Sequence, residues 1–312
     1  MTGISSALVA GSTGFIGSSL TRRLSEEGIR TFCLVREGRY NPESFKDVRG
    51  AELIEIQSSR ADALQRALSG ITADAVFNLA SYGVNPREND ADIMIDANLH
   101  FVSLLLQITS QWPLKRFIHA GSCFEYGEPE DRKPISEDHQ IRPLSLYGAT
   151  KAASVLIGNA LAARLSAPFV TLRLFGVYGK GERPHRLIPY TMDLLNKNEP
   201  VDLTPGEQVR DLMYVDDVAD ALVTAARHGS IIPRGVYNLC SGVPVTIREV
   251  GETVARVMDK PSSLLRWGER AYSSTEPMWL VGDNRKFTEA TGWKPKVGLL
   301  DGIRLMVHGG NA

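Results

Sequence analysis

The sequence predicts an α/β fold, a doubly wound parallel sheet with a smaller C-terminal α/β domain, and three observations carry that prediction. Short apolar runs alternate with helical patterns through residues 1–175, the order expected of a parallel sheet covered by helices on both faces. The first run passes straight into a glycine-rich turn and then into a helical pattern. Beyond 176, Pro184, Pro189, Pro200 and Pro205 break the pattern into loops and short elements, as at the start of a second unit. The expected division is 1–175 for the sheet domain, with 212–230 returning to it, and 176–211 plus 231–312 for the smaller, substrate-binding domain.

Composition narrows the function classes. The chain has 312 residues, 43% hydrophobic and 23% charged, with a formal net charge of -1, the profile of a globular protein with a large core. That balance offers no basic field for a nucleic acid and no polybasic anchor for a membrane. No apolar run is read as approaching the roughly 18 to 20 residues a bilayer requires, and the start lacks the build of a signal peptide, so a cytoplasmic location is expected. Cys33, Cys123 and Cys240 have no metal-ligand spacing; free thiols and no metal are expected, with Cys123 given a packing role ahead of a reactive one.

Taken in order, a strand over 4–10 leads into Gly11-Ser12-Thr13-Gly14-Phe15-Ile16-Gly17 and a helix over 18–27. Strand, glycine turn and helix are the setting of a dinucleotide fingerprint, although Gly11, Gly14 and Gly17 stand one residue looser than Gly-x-Gly-x-x-Gly. Glycine lets the backbone turn tightly and approach a pyrophosphate, which the helix N-terminus then attracts. The second strand, 31–35, ends at Arg36, about 20 residues past the turn, where an NAD site would place a carboxylate for the ribose 2′-hydroxyl. A guanidinium suits a 2′-phosphate instead, so NADP(H) is preferred and NAD(H) is the alternative; a solvated strand-end cation is the bland reading of Arg36.

Further candidates at 53–56, 62–68, 75–79, 93–109 and 117–120 continue the alternation. In such sheets ligands gather at the carboxyl ends of strands, which brings the glycine turn, Arg36, Ala80-Ser81-Tyr82 and Gly121-Ser122 to one rim. Tyr147 and Lys151, four apart at the head of an Ala-rich helix, share a face. A free tyrosine titrates near about pH 10, so a neighbouring cation is expected to favour the phenolate and make Tyr147 an acid/base. Ser122, ending a strand, can point a hydroxyl at the same rim. A strand over 170–175 follows, then the loop 176–181. The stretch 210–218 combines a short strand with carboxylates that can cap a helix over 219–227.

Gly11 to Gly17, Ser122, Tyr147 to Lys151, Arg173-Leu174-Phe175-Gly176-Val177-Tyr178-Gly179, Arg210 to Asp217 and Tyr237-Asn238-Leu239 together resemble the extended short-chain dehydrogenases/reductases of the NAD-dependent epimerase/dehydratase family. The match runs in order from residue 7 to about 300, most of the chain. The resemblance implies a Rossmann enzyme acting on a nucleotide sugar. It makes Tyr147 the acid/base, Lys151 its tuner and a ribose ligand, and Ser122 the catalytic serine. The cofactor site it implies comprises Gly11, Thr13, Gly14, Phe15, Ile16, Gly17, Arg36, Leu79, Ala80, Tyr147 and Lys151. The substrate site comprises Tyr82, Ser122, Cys123, Phe124, Tyr147 and Arg210, with Arg210 on a diphosphate; a salt bridge to Asp211 or Asp216 is its bland alternative. Helices near 93–109 and 152–165 resemble those of the family's four-helix dimer contact, so a homodimer is expected.

Departures from the family pattern matter as much. Sugar 4,6-dehydratases and related decarboxylases carry a glutamate where this chain has Phe124, and Glu125 faces the other way if the segment is extended. Fucose-synthase-like epimerases carry a cysteine at that same place, one residue from Cys123. Ser58 replaces a frequent adenine-binding aspartate. Without an elimination base, the leading expectation is NADPH-dependent reduction of a nucleotide-linked 4-keto-6-deoxy sugar. An NAD-dependent nucleotide-sugar 4-epimerase and a non-catalytic NADP-sensing protein are the alternatives.

Overall fold

The computed structural model describes residues 3–46, 48–85, 87–227 and 232–309. Its first half follows from the alternation: β1 (Ser6–Ala10), α1 (Phe15–Glu26), β2 (Arg30–Arg36), β3 (Ala51–Ile56), α2 (Ala61–Ala67) and β4 (Ala75–Asn78). Helix α3 (Ala91–Ile95) then runs through one π turn, Asp96–His100, into α4 (Phe101–Thr109). β5 (Arg116–Ser122), α5 (Leu146–Leu165) and β6 (Phe169–Leu174) complete this part.

The strands are apolar on both faces because both are covered. Val9, Phe77, Ile118 and Leu172 pack toward Leu20, Leu24, Val218 and Leu222. Leu8, Val76, Phe117 and Phe169 pack the other way, toward Leu64, Leu105, Leu106 and Ala162. This period-two division fixes register, since a one-residue slip would exchange the faces. The order is β10-β6-β5-β4-β1-β2-β3, every pairing parallel. Strand order reverses between β1 and β4, where a doubly wound sheet opens its ligand crevice.

Beyond β6 come β7 (Gly176–Tyr178), α6 (Leu187–Asn196), β8 (Val201–Leu203), β9 (Val209–Tyr214), α7 (Val215–Arg227) and β10 (Gly235–Leu239). The remainder is β11 (Pro244–Thr246), α8 (Ile247–Val257), β12 (Leu265–Trp267), β13 (Trp279–Leu280), α9 (Arg285–Thr291) and α10 (Leu299–His308). β7, β9, β11 and β13 form a second sheet and β8 pairs with β12. This smaller unit has its own core around Ile188, Leu195, Val250, Val254 and Ile303.

The structure divides the chain differently from the sequence expectation in two places. β10, within 231–312, is the edge strand of the large sheet, in register with β6 from Gly235↔Val170 to Leu239↔Leu174. Phe287 of α9 and Trp293 join the large core beside Tyr237. A short apolar strand after a helix reads alike in either unit; its pairing partner, not its composition, decides. The helix Ala91–Thr109 is also apolar and long enough to cross a membrane by length and composition, contrary to expectation. Here Phe101, Val102, Leu105 and Leu106 are buried under the sheet, while Asp92, Asp96 and His100 are exposed.

Asp74 ties the start of β1 to its neighbours. Its carboxylate accepts from the Ser5 N–H at 2.6 Å and the Ser5 hydroxyl at 2.7 Å, and pairs with Lys115 at 3.1 Å. Burial pushes this carboxyl up, but those bonds outweigh it and hold the pKa at about 2. A carboxylate depressed from its unfolded value near 3.9 contributes stability above that value and loses it as pH falls from about 4 to about 2. Asp74→Asn is therefore expected to cost on the order of 2 kcal/mol at pH 7, a deficit that closes toward pH 2. Denaturant melts across pH check this; a deficit independent of pH would contradict it.

Candidate active site

The glycine turn is built by exclusion of side chains. Gly11 has φ +85, and a Cβ there would sit 2.7 Å from the Ala80 nitrogen and 2.8 Å from the Leu79 carbonyl carbon. A Cβ on Gly17 would fall 2.0 Å from the Gly11 oxygen. Leu79 and Ala80 are thus the backbone wall of the turn, and the Leu79 N–H bonds the Ala10 carbonyl at 2.9 Å. Gly14 is the N-cap of α1; no side chain caps the helix and no acidic residue occupies its first turn. Thr13 is exposed, and Phe15 and Ile16 are half-buried at the same end. Backbone approach and an uncapped, acid-free helix N-terminus fit a pyrophosphate. Arg36 is exposed at the end of β2, the strand that pairs with β1 on the side away from β4.

Ser122, Tyr147 and Lys151 come together at the carboxyl end of β5. Ser145 caps α5 by accepting from the Gly148 N–H at 3.1 Å, which puts Tyr147 in the first turn. Burial pushes the Tyr147 phenol up to about 12, opposed by hydrogen bonds with the Ser81 and Ser122 hydroxyls. Lys151 is buried beneath and donates from Nζ to the Ala120 carbonyl at 2.6 Å. Burial pulls this ammonium down to about 8, with Glu125 opposing. The expected lowering of the phenol is therefore not found: one Lys151 N–H is directed at a backbone carbonyl, desolvation dominates, and the Tyr147 pKa lies above the free value.

A supporting shell escaped the sequence reading. Asn98 lies in the π turn, a local feature frequent at functional sites. It accepts from the Ser81 hydroxyl at 3.2 Å and the Tyr82 N–H at 2.9 Å, and donates to the Tyr82 carbonyl at 2.9 Å and to Thr150 Oγ1 at 3.0 Å. Asn98 thus ties the β4 rim to the helix turn carrying Tyr147. A buried amide inside the apolar run of 91–109 was the available signal. His119 is also buried, its pKa lowered well below the usual value by desolvation and then by Lys151. Ser154 donates to the Lys151 carbonyl at 2.7 Å, so His119 Nε2 donates to Ser154 Oγ at 2.9 Å and Nδ1 accepts from Asn78 at 3.3 Å.

The substrate-side residues divide. Phe124 is exposed beside the phenol, its ring edge-on to Tyr147 with centroids 6.1 Å apart, and Tyr82 is half-buried on the rim. Cys123 instead turns into a cluster with Tyr126, Ile135, Phe175 and Leu280, and burial pushes its thiol up to about 12, which fits packing rather than substrate contact. Glu125 is not on an extended segment: residues Cys123–Glu125 form a 3₁₀ turn that folds its carboxylate under Ser122. Arg210 pairs with Glu276 and donates to the Val209 carbonyl at 2.9 Å, not with Asp211 or Asp216. Asp211 is buried, accepting from Ser241, Gly242 and Gly282, and Asp216 accepts from Ser19.

A family model described as the NAD dependent epimerase/dehydratase family matches residues 7–240. CDP-abequose synthase of Salmonella typhimurium is 29% identical over 302 residues, 95% of either chain. UDP-glucose 4-epimerase of Mycolicibacterium smegmatis is 27% identical over 316 residues, 96% of this chain and 97% of that one. Among solved structures, the Thermus thermophilus UDP-glucose 4-epimerase complex with NAD superposes with a TM-score of 0.86 at 27% identity, covering 97% and 98% of the two chains. MoeE5 in complex with UDP-glucuronic acid and NAD superposes with a TM-score of 0.82 at 28% identity over the same shares.

Proposed function

The chain belongs to the NAD-dependent epimerase/dehydratase family, and from that premise we propose that it reduces a nucleotide-linked 4-keto-6-deoxy sugar to the alcohol with NADPH. The observation that carries the reading is the pairing of a protonated Tyr147 with an exposed Phe124 where elimination would need a carboxylate. Glu125, next in sequence, is buried and bound to Arg173. A site with an acid and no second base suits net reduction. The likeness to CDP-abequose synthase supports a nucleotide-linked sugar.

When bound, a reduced nicotinamide supplies the hydride. Gly11, Gly14 and Gly17 admit the pyrophosphate to α1, and Lys151 holds the nicotinamide ribose. Ser122 donates a hydrogen bond to the ketone oxygen, one that strengthens as charge develops there. Tyr147 gives its proton to the nascent alkoxide. Arg210, released from Glu276, meets the diphosphate, and Tyr82 lines the sugar. Exposed Leu156 and Ile157 on α5 and Ile93 on α3 support a homodimer through these helices.

Cofactor choice tests the reading. NADPH is expected to bind at least about tenfold tighter than NADH, about 1.4 kcal/mol, and Arg36→Asp is expected to abolish the preference, as read by calorimetric titration. The second reading, a 4-epimerase holding NAD, is favoured by the NAD complexes among the similar structures. It gains if the purified protein retains NAD and ignores the 2′-phosphate.

A further inference from the structure

Building on that reading, we propose that Glu125 is a positioning residue: its buried carboxylate, locked by Arg173, holds the Ser122 backbone and so sets the serine hydroxyl against the Tyr147 phenol. Glu125 has no exposed surface. One carboxylate oxygen accepts from the Ser122 N–H at 2.7 Å, and the other accepts from Arg173 Nε at 2.7 Å. Ser122 Oγ in turn accepts from the Phe124 N–H at 3.2 Å, closing the turn from both ends.

The lock is anchored across three strands of the sheet. Arg173, on β6, stacks over the Tyr126 ring at 4.6 Å and donates from Nη1 to the Tyr126 hydroxyl at 2.8 Å. That hydroxyl donates to Asn238 Oδ1 on β10 at 2.7 Å, and Asn238 donates to the Ile135 carbonyl at 2.7 Å. Ser122 itself ends β5. The turn also presses on α5: a Cβ at Gly148 would lie 2.4 Å from the Phe124 carbonyl oxygen. The 3₁₀ turn therefore fixes the distance between Ser122 and the residue preceding Gly148, Tyr147.

A buried ion pair is a poor device for stability alone, since matched apolar residues often serve equally well. Its two oxygens aimed at a catalytic backbone and at a strand-anchored guanidinium are a device for geometry. A displacement of about 1 Å at such a site can cost about 100-fold in rate.

The test compares wild type, Glu125→Gln and the double variant Glu125→Met/Arg173→Met. Three quantities are measured: kcat with a 4-keto nucleotide sugar and NADPH, NADPH affinity, and amide exchange at Ser122. The glutamine keeps an oxygen for the Ser122 N–H and is expected to retain kcat within about tenfold, while the double variant, which removes both buried charges, folds with unchanged NADPH affinity yet loses about 100-fold in kcat. Ser122 exchange is expected to quicken in the double variant while Ile118 stays protected. If Glu125→Gln fails to fold because Arg173 is left unpaired, the double variant decides alone. A folded double variant with wild-type kcat and a protected Ser122 amide overturns the inference. If wild type itself turns over no 4-keto sugar, the functional reading falls, and the exchange measurement still reports whether Glu125 holds Ser122.

Discussion

Tyr147→Phe is expected to lower turnover by about 1,000-fold, within the range that general acids contribute, while NADPH binding is unchanged. The phenol is the group set to give a proton: burial holds its pKa up at about 12, so it stays protonated from neutral pH to well beyond pH 9. Phenylalanine preserves the ring and its edge-on contact with Phe124, so the fold survives and the loss is chemical. Single-turnover reduction, with cofactor affinity measured separately, distinguishes a lost proton donor from lost binding. Retention of turnover would mean that Ser122 or water supplies the proton.

Lys151→Met is expected to reduce kcat/KM by about 100-fold or more, since it removes a buried cation beside the phenol and the proposed nicotinamide ribose ligand together. The stability consequence has the opposite sign. A lysine whose pKa falls from 10.5 to about 8 on burial makes the charged form costly in the folded state. Because the unfolded chain binds the proton more tightly, wild-type stability rises as pH climbs from about 8 to about 10. Methionine removes that cost, on the order of 3 kcal/mol below pH 8, and loses only the bond to the Ala120 carbonyl. Thermal melts at pH 7 are thus expected to find Lys151→Met at least as stable as wild type. Activity of wild type is expected to decline as pH passes about 8, when Lys151 rather than Tyr147 loses its proton. An alkaline limit far above that pH would contradict the assignment.

Much of this was legible because local sterics and pattern decide it. The glycine turn could be read because Gly11 and Gly17 exclude a Cβ whatever else the chain does. The sheet could be read because Leu8, Val9, Val76 and Phe77 are apolar on alternate faces. What escaped depends on partners distant in sequence. Asn98 matters through Ser81, Tyr82 and Thr150, and Glu125 through Arg173; neither pairing has a spacing rule. The phenolate expectation failed for a related reason. Helical spacing puts Tyr147 and Lys151 on one face, but spacing says nothing of the Ala120 carbonyl that takes the ammonium, nor of the burial that outweighs it. The edge strand β10 pairs with β6 in the large sheet, against the expected division, because strand composition does not name its neighbour.

Net reduction of the 4-ketone is tested directly by deuterium transfer. Purified protein would be given a nucleotide-linked 4-keto-6-deoxy sugar and NADPH deuterated at the transferable position of the nicotinamide. One deuterium at C4 of the product alcohol is expected for each NADPH oxidised. A 4-keto sugar left unreduced, while a 4-hydroxyl nucleotide sugar supplied in a parallel reaction is converted to its unlabelled 4-epimer without NADPH oxidation, would contradict it and assign the site to epimerisation.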